Sequence, residues 1–212
     1  MIIFTFLFVL LNLISYNDSM GELELIKYLK FIKSEKYYHD WFELVKPILL
    51  SVEFQKRIKF KHHYNSVFYH CILVSYRSYE FAIKHNVNPY NCAIAGLLHD
   101  FYPYAWQDSK ALRGLEENYS KRIGVKKKFF EKHSFTHARE ALENVYKYYP
   151  EYSNDRIDNA ILRHMFPLNI AVPKYKESWV ITTQDKIVSI KEFIRNVLII
   201  HFFYCILYIY IL

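Results

Sequence analysis

An all-α, single-domain helical bundle is the fold this sequence predicts, and three observations carry the expectation. The 212 residues hold only 4 Gly and 6 Pro, where average usage would supply about 15 and 10. That is too few turn formers for a sandwich or barrel of many short strands. No stretch alternates apolar and polar residues between turn signals, and no internal repeat recurs along the chain. Hydrophobic residues at 52% and charged residues at 23% suit one sizeable core; a disordered chain would be less apolar and a polytopic membrane protein less charged.

The elements follow in order. Trp41 to Ile58 reads as helix interrupted by Pro47, whose ring and missing N–H begin or kink a helix. Ser66 to Lys84 places Val67, His70, Val74 and Phe81 at helical spacing with no Gly or Pro inside. Asn88-Pro89 is an N-cap and first-turn pair, opening a helix whose stripe carries Cys92, Ala95, Gly96 and His99. Phe135 to Tyr148, Asp155 to Met165 and Glu177 to Val197 complete the set, with Pro150, Pro167 and Pro173 between them. The predicted organisation is an apolar segment and lead-in over 1–37, a helical domain over 38–195 and an apolar tail over 196–212.

Both ends are strongly apolar. Met1 to Ile14 reads MIIFTFLFVLLNLI and Val197 to Leu212 reads VLIIHFFYCILYIYIL, each short of the roughly 20 residues that span a bilayer comfortably. The first lacks a basic leading region and a small-residue cleavage site, which argues against a signal peptide. Lys186, Lys191 and Arg195 precede the tail, so insertion would keep the body cytoplasmic. Three readings stay open: membrane association, helices packing on the core or on a partner, and a tail made by a truncated or shifted reading frame.

A net charge of +7 favours anionic small molecules, phosphates or membrane surfaces. The run Lys126, Lys127, Lys128, with Lys121 and Arg122 upstream, sits in no zinc-finger or RNA-binding motif and reads as a solvated loop, so no specific nucleic acid is expected. The 20 Tyr and 17 Phe show no spacing that would make a stacking platform. Cys71, Cys92 and Cys205 are widely spaced and odd in number, which suits reduced cytoplasmic thiols.

The informative residues are histidines and aspartates on apolar faces. His70 shares its face with Val67 and Val74, His99 with Ala95 and Gly96, His164 with Ile157 and Ile161, and Asp185 with Ile181 and Val188. A buried, unpaired carboxylate costs several kcal/mol, so an Asp at such a position needs a partner. Each residue alone fits a satisfied core histidine or a capping Asp, and a structural protein with incidental histidines remains one reading. The ordered set His70, His99-Asp100, His133 or His137, His164 and Asp185 fits a bundle whose successive helices each turn one ligand inward. Its wide spacings do not fit a zinc finger, whose ligands come in close pairs.

These residues resemble the HD superfamily of metal-dependent phosphohydrolases. FYHCILVS carries the first His, AIAGLLHDF the doublet and ITTQDKIVS the final Asp, while KHSFTHAREALEN and LRHMFPL look like the additional histidine segments of members that hold two metals. The resemblance covers roughly residues 38 to 195, and the same segments also resemble those of small single-domain bacterial HD proteins. It implies that His70, His99, Asp100 and Asp185 hold a first metal, and that Asp100 bridges to a second held by His133 and His164. His137 is then an alternative ligand or a substrate contact. Cyclic-dinucleotide phosphodiesterases of the superfamily carry HDxGK; here the doublet runs HDFYP, and Pro103 stands where their phosphate-binding Lys would be.

The activity implied is hydrolysis of a phosphate ester of a nucleotide or another small phosphorylated metabolite by a metal-bound hydroxide. The cofactor would be divalent metal, two ions in preference to one. Iron or manganese is favoured for a mixed His and carboxylate set, with zinc, nickel and cobalt compatible. Lys186, Arg139, Arg163 and His63 are the cations expected near a substrate phosphate. No GxSxG elbow or Walker loop competes for the chemistry. The alternative is a catalytically silent HD module that binds a nucleotide or a protein partner.

Overall fold

In a computed structural model, residues 20–62, 65–104 and 133–211 are described, without the side chains of 27, 61, 62, 133, 134, 196 and 199–211. The chain divides into two compact units, 1–56 and 57–212. Residues 38–56, expected at the head of the helical domain, fall in the first unit; the expected segments 1–14 and His63 lie outside the described residues.

The first unit contains α1 (Glu22–Tyr28), α2 (Tyr38–Leu49) and α3 (Val52–Gln55). Leu25, Leu29, Trp41, Val45, Ile48 and Phe54 are buried. Within α2, Pro47 does not begin a helix. It sits in the last turn, and the helix ends two residues later. Ser51 then accepts a hydrogen bond from the Phe54 amide at 3.2 Å and caps α3.

The second unit is helical apart from a two-rung antiparallel ribbon among the described residues, β1 (Lys61–His62) against β2 (Asn65–Ser66). Ser66 ends the ribbon and caps α4 (Val67–Lys84), its hydroxyl accepting from the Tyr69 amide at 3.2 Å. Asn86, at φ 53°, closes that helix in the left-handed conformation Asn tolerates. Asn88 and Pro89 open α5 (Pro89–Leu98), the Asn88 side chain accepting from the Asn91 amide at 3.1 Å. Next come α6 (His133–Tyr148), α7 (Asp155–Arg163) and α8 (Lys176–Ile211). Asn154 caps α7 on two amides. Helix α8 runs on past the expected boundary at 195.

Helix α4 packs along α5, and α8 packs against α4, α5 and α7. Gly96 makes the first of these contacts close. A Cβ there would lie 2.8 Å from the Ser75 Cα, so only glycine lets the two backbones meet at this depth. Ser75 reinforces the junction by donating its hydroxyl to the Ala93 carbonyl at 2.7 Å. Ile72, Val74, Ile94, Leu97, Ile157, Ile161 and Ile181 are fully buried, each contributing roughly 1.5–3 kcal/mol. Among the described residues no helix is long and apolar enough to cross a membrane.

Candidate metal centre

Four helices and the turn after α5 converge on one buried point. His70 comes from the first turn of α4, and His99 is the C-cap of α5 with Asp100 directly after it. His137 lies on α6, His164 is the C-cap of α7 and Asp185 lies on α8. All six are buried. They form two groups, His70, His99 and Asp185, and Asp100, His137 and His164. Within each group one ligand atom per residue lies within 4.8 Å of the others. The rings of His99 and His164 are 5.0 Å apart, so the groups adjoin.

In the first group, His70 Nε2 stands 3.1 Å from Asp185 Oδ1. His99 Nε2 lies 3.7 Å from both Asp185 Oδ1 and Asp100 Oδ2. In the second, His137 Nε2 and His164 Nε2 are 3.1 Å apart, and Asp100 Oδ1 lies 3.5 and 3.6 Å from them. Asp100 therefore turns one oxygen to each group.

Helix ends prepare two of the imidazoles. The last carbonyls of an α-helix have no partner within it, and His99 Nδ1 donates to the Gly96 carbonyl at 2.8 Å while His164 Nδ1 donates to that of Ile161 at 2.7 Å. With Nδ1 carrying the proton, the neutral ring offers a lone pair at Nε2, the form a metal takes. His99 Nε2 is buried and makes no hydrogen bond among the described residues. A nitrogen acceptor so placed, facing two carboxylates, fits a divalent cation, and His plus Asp donors suit iron, manganese or zinc.

The electrostatics differ between the groups. Burial presses the His70 pKa down, but the hydrogen bonds its ring donates to Asp185 and Glu192 and the charges of Asp185 and Asp100 outweigh it and carry the pKa up to about 10. Burial, then the neighbouring His99 and His137, push His164 down to about 3. Asp185 is held well below the usual carboxylate range: burial opposes this, but His70 and His99 prevail.

The structure brings His70, His99, Asp100, His164 and Asp185 together, and the α6 imidazole it shows beside His164 is His137. His133 is the first residue of α6, one turn earlier on the same face, and its side chain lies outside the described part.

Three of the cations expected near a substrate phosphate are described. Lys186 donates to the carbonyls of His164 at 2.9 Å and Thr182 at 3.3 Å, capping the end of α7. Burial lowers its pKa, against the charge of Asp185. Arg139 is two residues from His137 and so on the far side of α6. There it lies 3.9 Å from Glu143 and, with Arg163, Leu168 and Asn169, lines a pocket of about 470 Å³.

Three contributors were not singled out in the sequence. Glu192, an acidic residue seven positions after Asp185, reaches His70 Nδ1 at 3.2 Å; in the sequence it looks the same as a solvated carboxylate. Arg57 and Asn144 hold the turn after the doublet. Arg57 donates to the Tyr102 carbonyl at 2.9 Å and lies over the Phe101 ring, while Asn144 donates to the Phe101 carbonyl at 2.8 Å. Nothing in their local sequence marks them.

The model of a protein family described as HD domain matches residues 67–191, more than half of the chain. No curated protein and no solved structure matches it.

Proposed function

The chain belongs to the HD domain family, and we propose on that premise that it is a metal-dependent phosphohydrolase. Its substrate is a phosphate ester of a nucleotide or other small phosphorylated metabolite, cleaved by water at a pair of divalent metals, iron or manganese. The observation that supports this best is Asp100, whose two oxygens face two separate His-containing groups. His70, His99 and Asp185 would hold one metal and His137 and His164 the other, with Asp100 shared.

When bound, such metals supply Lewis acidity at the phosphoryl group and lower the pKa of water. The protein's own part is positioning. Gly96 and Ile161 carbonyls set the tautomers of His99 and His164, Lys186 holds the last carbonyl of α7, and Arg57 with Asn144 fixes the chain after Asp100. The net charge of +7 favours an anionic substrate.

The test is phosphate release from a panel of nucleotides and an aryl phosphate, using full-length protein loaded with manganese or with iron. Turnover that Asp100→Ala abolishes is the expected result. Two bound metals without turnover on any substrate would instead make the chain a silent binding module, and no bound metal would overturn both readings.

A further inference from the structure

Of the imidazoles in the centre, His70 has a different problem of orientation. His99 and His164 end their helices and take carbonyls left over there. His70 lies in the first turn of α4, where the unsatisfied groups are N–H donors and no spare carbonyl exists. A side chain must do the work. Glu192 does it from α8: buried, 6% exposed, it places Oε2 3.2 Å from His70 Nδ1. Asn65, at the end of the ribbon that leads into α4, donates to Glu192 Oε1 at 2.9 Å and holds the carboxylate from its other side.

We propose that Glu192 is a positioning residue for the first metal: it accepts a hydrogen bond from His70 Nδ1–H, turns Nε2 toward Asp185 and makes that nitrogen a stronger donor to a metal. Asp185 and Glu192 are seven residues, two turns, apart on one face of α8 and contact the two nitrogens of the same ring. One helix thereby supplies both a ligand and the group that aims the ligand opposite. A carboxylate behind a metal-binding imidazole raises its basicity, and losing such a partner lowers metal affinity roughly 10–100-fold. Asn65 extends the chain one step further.

The inference rests on the metal reading above, and Mn²⁺ binding by the intact protein separates the two. Competition against a chelator measures Mn²⁺ affinity and stoichiometry for wild type, Glu192→Ala, Glu192→Gln and Asn65→Ala, beside the thermal midpoint of each metal-free protein. The expected result is a loss of roughly 10–100-fold at one of two sites for Glu192→Ala. Glu192→Gln, which keeps an acceptor oxygen without the charge, falls between it and wild type, and Asn65→Ala shifts affinity least. If Glu192→Ala does not fold, the Gln and Asn65 variants decide. Variants that melt earlier but bind Mn²⁺ within twofold of wild type would show a purely structural role and overturn the proposal. A wild type that binds no metal overturns the metal reading itself.

Discussion

The two halves of the centre solve one problem in opposite ways. In the half built on His70, His99 and Asp185, carboxylates crowd the ring: Asp185 and Glu192 flank His70 and carry its pKa up to about 10. In the half built on Asp100, His137 and His164, burial first and then neighbouring imidazoles hold His164 at about 3, with Nδ1 spent on a carbonyl. His70 therefore holds its proton more tightly than a free imidazole, whereas His164 stays neutral.

Asp100 belongs to both halves, so Asp100→Ala carries the largest expected effect. Turnover should fall by at least about a hundredfold, the scale of losing one electrostatic group, and both metals should be depleted. Metal analysis beside phosphate release checks this; a variant that keeps full occupancy and rate would break the two-halves description.

Next comes a change confined to one half. His137→Gln with His164→Gln should cost one equivalent of metal and most activity, while leaving the His70 half loaded. His133→Gln is the sharpening control, with a smaller expected cost because His137 Nε2 stands 3.1 Å from His164 Nε2. If His133→Gln strips a metal and His137→Gln does not, the second half has been assigned to the wrong turn of α6.

Gly96→Ala tests the junction beneath the first half. The added methyl presses on the Ser75 backbone and should destabilise the protein by about 1–3 kcal/mol, read from urea unfolding. It should also weaken metal at the His99 side, because the Gly96 carbonyl orients that ring. Unchanged stability would mean α4 and α5 can separate without strain.

The proton-holding contrast predicts a pH profile for the metal-free protein. His70 is raised above the unfolded value of about 6.5, so its stabilising contribution is full below that pH and is lost as pH rises through about 10. His164 is depressed to about 3; the unfolded chain gains the proton first as pH falls from about 6.5, so stability is lost in that direction. Together they place a maximum near pH 6.5, with chelator-treated protein less stable at pH 5 and pH 9. A stability that climbs from pH 6.5 to 9 would contradict the His70 assignment.

The smallest effect concerns Lys186→Met. Its ammonium holds the His164 carbonyl, and if that is its whole role metal affinity of the second half should fall a few-fold, with KM for substrate unchanged. The loss of one hydrogen bond from a charged donor is worth roughly 1.5–3 kcal/mol at most, read from the thermal midpoint. A rise in KM alone would return Lys186 to the phosphate.

What the sequence determined by itself was local. The paucity of Gly and Pro, the cap at Asn88, and the inward faces bearing His70, His99, His164 and Asp185 all depend on local sequence, where 3.6 residues per turn places each side chain. The same periodicity puts Arg139 opposite His137. The rest depended on where helices meet. His137 meets His164 only through the packing of α6 beside α7. Glu192 is indistinguishable in the sequence from a solvated acidic residue until α8 is laid against α4. Lys186 follows Asp185 directly, yet its long side chain turns to the end of α7 because unsatisfied carbonyls are there. Helix faces are set by neighbours along the chain, whereas which polar groups meet across helices is set by depth and rotation at contacts spanning more than a hundred residues, such as His70 with Asp185 and Glu192.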